Sequence, residues 1–205
     1  MDARLSGVYG ITSADFGMSH EDAARAFLEG GIRIVQYREK GADARTMIKE
    51  ASRIKEMCRE KGALFIIDDR IDVAVAVDSD GVHIGQDDVP ISVAKRIFPG
   101  KIIGVSAKTP GQALEAERNG ADYLGVGALF PTTTKVKTHV IGFDGFSAVR
   151  RSTKLPVFAI GGMKAEHIKQ LKGHGSNGVA VISAILGAKD PVASAREFVS
   201  AWNGT

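Results

Sequence analysis

The sequence predicts a single (β/α)8 (TIM) barrel over residues 1–205. Three observations predict it. Short β-branched runs alternate with longer amphipathic stretches, a pattern that favours parallel strands joined by helical crossovers. Eight such units fit into 205 residues, about 25 residues each, which suits a compact barrel. No GxGxxG follows the first strand, which weighs against the competing doubly wound open sheet.

The elements follow in order. A strand at 7–12 (GVYGIT) precedes a helical pattern at 20–29. The second strand, 32–38 (IRIVQYR), leads into the longest amphipathic stretch, 43–61. Strand 63–68 (ALFIID) is followed by a short helix at 71–77, and strand 81–85 (GVHIG) by a helix at 91–97. Strand 101–106 (KIIGVS) precedes a helix at 110–119, for which Thr109 before Pro110 is the natural cap. Strand 123–129 (YLGVGAL) enters the longest patternless segment, Phe130 to Gly142, before a helix at 144–152. Long loops of this kind in compact domains are usually functional. Strand 156–161 (PVFAIG), a helix at 164–172, strand 178–183 (GVAVIS) and a helix at 191–202 complete the set. Gly30, Gly62, Gly120 and Gly173 stand where helices should stop. The fragments GADYLGVG and GSNGVAVIS resemble each other and support repeated βα units.

Composition excludes several classes. Hydrophobic residues at 44% and charged residues at 25% are ordinary for a globular protein, not for a disordered or collagen-like one. Cys58 is the only cysteine, so an intramolecular disulfide and any cysteine-based zinc or iron–sulfur site are ruled out. A net charge of +3 without a Lys/Arg run predicts no nucleic-acid partner. No stretch approaches the ~18 apolar residues of a membrane span, and the N-terminus lacks a signal peptide's apolar core. The expectation is a cytoplasmic protein with no membrane partner. A homodimer is compatible with a barrel of this size, although no sequence stripe marks an interface.

Barrel active sites lie at the C-terminal ends of the strands. Strand two ends in Gln36-Tyr37-Arg38-Glu39-Lys40, and alternation places Gln36, Arg38 and Lys40 on one face. An amide, a guanidinium and an ammonium together can grip a phosphate or diphosphate, as well as serve a solvated strand end. Strand three ends in Asp68-Asp69-Arg70, and strand four is followed by Gln86-Asp87-Asp88. Such carboxylates either cap the next helices or converge on a hard cation such as Mg2+. Ser106 ends strand five and is left for a ligand if Thr109 takes the cap. His83, within strand four, reads as a satisfied core residue rather than a base, and no Ser/His/acid triad is recognisable. Thr132, Thr133, Thr134 and Lys135 can wrap a phosphate, or form a polar turn. Gly161-Gly162 and Ile182-Ser183, after strands seven and eight, point to a second anion pocket. Two phosphorylated substrates, one losing diphosphate, would satisfy this layout.

The motifs QYREK, IIDDR, DGVHIGQDDVP, IGVSAKT, GADYLGVGALFPTTTK, AIGG and GVAVISAI, in this order over nearly the whole chain, resemble the thiamine-phosphate synthase family. The resemblance implies a (β/α)8 transferase. It would couple 4-amino-2-methyl-5-(diphosphooxymethyl)pyrimidine with 4-methyl-5-(2-phosphoethyl)thiazole in a Mg2+-dependent, dissociative reaction that yields thiamine phosphate and diphosphate. It implies pyrimidine-diphosphate contacts at Gln36, Arg38, Lys40, Ser106 and Lys135, with Arg38, Lys40, Ser106 and Lys135 the catalytic group. It places Mg2+ on Asp69 and Asp88, and the thiazole phosphate on Thr132, Thr134, Gly162, Ile182 and Ser183.

Three positions depart from the family pattern. Asp68 stands where Asn is usual, putting an acid beside the diphosphate site. FPTTTK replaces FPTPTK, and Thr12-Ser13 replaces Thr-Asp. The rival readings are a thiazole tautomerase, which needs neither GQDD nor TTTK, and a non-catalytic phosphate-binding paralogue, which only Asp68 favours.

Overall fold

Alternation along each strand decides which of two layers a side chain joins. Val8, Val35, Phe65, Ile67, Val82 and Ile103 face outward and pack under the helices. Tyr9, Ile11, Ile34, Leu64, Ile66, Tyr123, Phe158 and Ala180 face inward and form a separate buried cluster. Near-continuous apolar runs such as LFIID are what a strand buried on both faces requires.

The computed structural model describes residues 2–132 and 139–204. Among them, eight strands close a parallel barrel in sequence order. They are β1 (Gly7–Ile11), β2 (Ile34–Tyr37), β3 (Leu64–Asp68), β4 (Gly81–Ile84), β5 (Ile102–Ala107), β6 (Tyr123–Gly127), β7 (Val157–Ile160) and β8 (Gly178–Val181). Closure comes from β1 pairing with β8, Tyr9 opposite Ala180. This is the predicted (β/α)8 barrel.

The helices surround it: α1 (His20–Glu29), α2 (Ala44–Glu60), α3 (Ile71–Ala76), α4 (Ile91–Ile97), α5 (Pro110–Arg118), α6 (Gly142–Ser152), α7 (Ile168–Gly173), α8 (Ser183–Leu186) and α9 (Pro191–Asn203). Ser19, Asp43, Thr109 and Asp190 cap α1, α2, α5 and α9 by accepting backbone N–H bonds. Each such cap stabilises by about 1 kcal/mol. No helix among the described residues is long and apolar enough to cross a membrane.

The structure differs from expectation at element ends. A 3-10 turn at Ala14–Phe16 and the four-residue α8 carry too few residues for a period to show. The predicted strand 178–183 stops at Val181 because Ser183 opens α8. The predicted helix 164–172 begins as a 3-10 turn, Ala165–His167. Gly173 is the last residue of α7, and the left-handed position falls on Gly175, with φ 79°.

Inside the barrel, Gly104 of β5 lies opposite Tyr123 of β6. A Cβ at Gly104 would collide with the Tyr123 ring. The absent side chain is what lets a tyrosine ring fill the middle of the barrel.

Candidate active site

A cavity of about 410 Å³ opens at the C-terminal ends of the strands. Gln36, Arg38, Lys40, Asp68, Asp69, Asp88, Ser106, Thr132, Gly162, Ile182 and Ser183 all line it. Thr133, Thr134 and Lys135 lie outside the described residues.

Alternation past β2 works as expected. Gln36, Arg38 and Lys40 reach the cavity. Tyr37 is buried in the outer layer, its hydroxyl donating to Glu50 at 2.6 Å. The two cations converge on Asp68. Lys40 Nζ donates to an Asp68 carboxylate oxygen at 2.7 Å, and Arg38 Nε lies 3.7 Å from the same oxygen. Lys40 also pairs with Asp69. Burial, and then the charge of Asp69, push the Asp68 carboxyl up to about 6, against the pull of Lys40 and Arg38. Asp68 therefore sits between these two cations.

Asp69 adopts a left-handed backbone, with φ 57°. This conformation costs an L-residue about 1–2 kcal/mol and is least unusual for Asp and Asn. Its N–H donates to the His83 carbonyl at 2.8 Å. Its carboxyl lies close enough to that of Asp88 for the two to influence each other's ionisation. Burial opposes ionisation of Asp69, but the Lys40 hydrogen bond and charge outweigh it and hold its pKa low. Burial and the adjacent Asp69 raise that of Asp88, against a 2.7 Å bond from the Gly85 N–H. Neither acid caps a helix: α3 starts after Arg70 and α4 after Pro90, both without a side-chain cap. The helix-capping explanation of these acids therefore fails. Among the described residues, no third His, Cys, Asp or Glu joins them to form a metal-sized cluster.

A chain of hydrogen bonds crosses the barrel beneath the cavity. Gln36 Nε2 donates to the Tyr9 hydroxyl at 2.9 Å, and the Tyr9 and Tyr123 hydroxyls are 2.8 Å apart. The Tyr123 hydroxyl meets His83 Nδ1 at 3.1 Å, and His83 Nε2 meets Ser106 Oγ at 3.0 Å. Burial raises the pKa of both phenols, so they stay protonated. His83 is satisfied, as expected, yet it also lines the cavity together with Tyr9. Sequence reading passed over Tyr9 and Tyr123. Their inward parity was visible, but the pairing that joins them is not local.

The opposite wall is largely apolar, with Ile11, Phe158, Ile160, Met163 and Ala180. Gly161 and Gly162 turn there with φ 97° and 64°. A Cβ on Gly162 would strike Phe130 and Pro131, so this turn needs glycine for space as well as for conformation. Phe130 is fixed by stacking on His167, with 4.2 Å between ring centroids. The start of α8, at Ser183, completes this side. The cavity thus has a charged side built from β2–β5 and a glycine-rich apolar side built from β6–β8 and Ile11 of β1.

Similarity to known proteins identifies the family and agrees with the fold. A family model described as thiamine monophosphate synthase matches residues 8–185. A thiamine-phosphate synthase from Caldivirga maquilingensis is 49% identical over 198 residues, covering 96% of this chain and 97% of its own length. One from Chloroflexus aurantiacus is 45% identical, covering 93% and 90%. The solved structure of a thiamine phosphate pyrophosphorylase from Pyrococcus furiosus superposes with a TM-score of 0.92 at 41% identity, covering 99% of this chain and 98% of that one. The chain belongs to the thiamine monophosphate synthase family of (β/α)8 transferases.

Proposed function

We propose that this chain joins a 4-amino-2-methyl-5-(diphosphooxymethyl)pyrimidine to a 4-methyl-5-(2-phosphoethyl)thiazole, releasing diphosphate and thiamine phosphate. The observation that carries the reading is the two-sided cavity: Arg38, Lys40, Asp69 and Asp88 on one side, the Gly161-Gly162 turn and Ser183 on the other. The single barrel of residues 1–205 carries both sides of the site in this reading.

The bond between the pyrimidine methylene and the diphosphate oxygen breaks first, and the electron pair leaves with the diphosphate. The electron-rich aminopyrimidine carries the resulting cation until the thiazole nitrogen forms the new C–N bond. No proton need move in this scheme, so the Ser106–His83 pair serves orientation and binding rather than nucleophilic attack. Arg38 and Lys40 take up the charge of the leaving group, the kind of pre-organised stabilisation that usually contributes most. Lys135 joins them in this proposal. Ser106, oriented through His83, donates to the same substrate. Gln36, fixed by Tyr9, presents its amide to the pyrimidine. Asp68 faces the amino-substituted ring or restrains the cations until diphosphate arrives. Thr132, Thr133, Thr134, Gly162, Ile182 and Ser183 hold the thiazole phosphate. The apolar wall keeps water from the cation, and holding two substrates face to face supplies much of the rate.

The donor set suits Mg2+. Two carboxylates with no third His, Cys, Asp or Glu among the described residues match an ion that prefers one or two carboxylates with phosphate oxygens and water. Asp69 and Asp88 would hold it, and it would supply Lewis-acid neutralisation of the diphosphate oxygens.

The test is one assay with both substrates, with Mg2+ and with chelator, following thiamine phosphate and diphosphate. Mg2+-dependent formation of both products is expected. No product from folded protein that binds the thiazole phosphate would overturn the reading in favour of a tautomerase or a binding paralogue.

A further inference from the structure

His20 is a buried titratable residue, 5% exposed, that does not line the cavity. It sits at the start of α1, and its ring packs edge-on against Tyr37 at 4.8 Å. Both ring nitrogens are engaged. Nδ1 lies 2.7 Å from Thr12 Oγ1, and Nε2 lies 2.9 Å from Glu39 Oε2. Thr12 Oγ1 also accepts the backbone N–H of Arg38 at 3.2 Å. The other Glu39 oxygen accepts the backbone N–H groups of Gly41 and Ala42.

These bonds form a clamp beneath one turn. Arg38 and Lys40 flank Glu39 and point into the cavity, whereas Glu39 points away from it toward His20. An ionised carboxylate can only accept, so Nε2 carries the proton that meets it. That leaves Nδ1 to face the Thr12 hydroxyl and fixes the ring between the end of β1 and the turn after β2.

We propose that His20 and Glu39 are positioning residues for the diphosphate grip. His20 holds the Glu39 carboxylate, the carboxylate ties down the turn through Gly41 and Ala42, and the turn determines where Arg38 and Lys40 present their charges. Neither residue touches substrate. The inference rests on the reading that this side of the cavity takes a diphosphate.

The experiment compares wild type with His20→Ala, His20→Gln and Glu39→Ala. It measures steady-state constants for both substrates and binding of inorganic diphosphate with Mg2+ by calorimetry. In His20→Ala and Glu39→Ala, the KM for the pyrimidine diphosphate and the Kd for inorganic diphosphate should each rise about ten-fold. The KM for the thiazole phosphate should stay within about two-fold, because a local displacement of the turn leaves the opposite wall alone. His20→Gln, which keeps an N–H donor, should recover most of the loss.

Equal rises in both KM values would show a merely structural role and overturn the proposal. So would unchanged diphosphate affinity in folded Glu39→Ala, which decides the matter alone if His20→Ala does not fold. Wild-type protein that binds no inorganic diphosphate would instead overturn the underlying reading of the cavity.

Discussion

Lys40 Nζ stands 2.7 Å from an Asp68 carboxylate oxygen, an internal ion pair at the place proposed for a substrate anion. In the proposed function the carboxylate would compete with diphosphate for Lys40 and Arg38. Asp68→Asn should therefore lower the KM for the pyrimidine diphosphate by about three- to five-fold, the size of roughly 1 kcal/mol for a partly exposed ion pair. Steady-state kinetics checks this. A higher KM would instead make Asp68 a contact for the substrate ring.

Asp88→Ala removes one of the two oxygen donors proposed for Mg2+. The Mg2+ concentration for half-maximal activity should rise by at least about ten-fold. A Mg2+ titration of turnover, run beside wild type, is the measurement. An unchanged titration curve would remove Asp88 from the metal site.

Arg38→Ala takes away the planar cation 3.7 Å from Asp68. Lys135→Ala tests the fourth proposed catalytic residue. Each should reduce kcat/KM for the diphosphate substrate by about 10²-fold, roughly the effect of removing one pre-organised donor to developing charge. Normal constants in both variants would exclude the proposed grip.

Glu39 yields a pH prediction. Burial opposes its ionisation, yet the Gly41 and Ala42 N–H bonds and His20 hold its carboxyl at about 2, below the ordinary 4.5. Its stabilisation is complete above pH 4.5 and is lost as pH falls toward 2. With screening at the rim, the loss should be about 1–2 kcal/mol. Urea unfolding of wild type and Glu39→Gln at pH 5 and pH 3 measures it. The gap between the two proteins should narrow at the lower pH.

Cys58 is 1% exposed in the outer core, and burial pushes its thiol up to about 12. Native protein at pH 8 should not react with an aromatic disulfide reagent over minutes, whereas urea-unfolded protein should react at once. Fast labelling of native protein would show that α2 opens readily.

The legible part of this molecule is the part governed by parity. Gln36, Arg38 and Lys40 alternate with Tyr37 and Glu39, so the cavity-facing set could be read from one strand. The barrel was legible for the same reason: strand and helix periods alternate eight times. The roles of Asp69 and Asp88 were open, because an acid after a strand reads equally as a helix cap. The helix starts, invisible in composition, remove the cap case: α3 follows Arg70 and α4 follows Pro90, neither with a side-chain cap. The Tyr9–Tyr123 bond spans 114 positions and exists only once the barrel closes. The His20–Glu39 pair is not legible locally either, because Glu39 lies on the turn after the next strand.

The interlock of Gly104 with Tyr123 constrains how this sequence can change over generations. Any side chain at 104 meets the tyrosine ring, so Tyr123 must become smaller before Gly104 can become larger. A smaller residue at 123 breaks the polar chain to His83 and leaves a void in the barrel. A route that enlarges residue 104 therefore passes first through a smaller residue at 123, with the void and the broken polar chain that this leaves. Descendants of this protein should keep or lose the two residues together, an inheritance pattern that sequencing of close relatives would reveal.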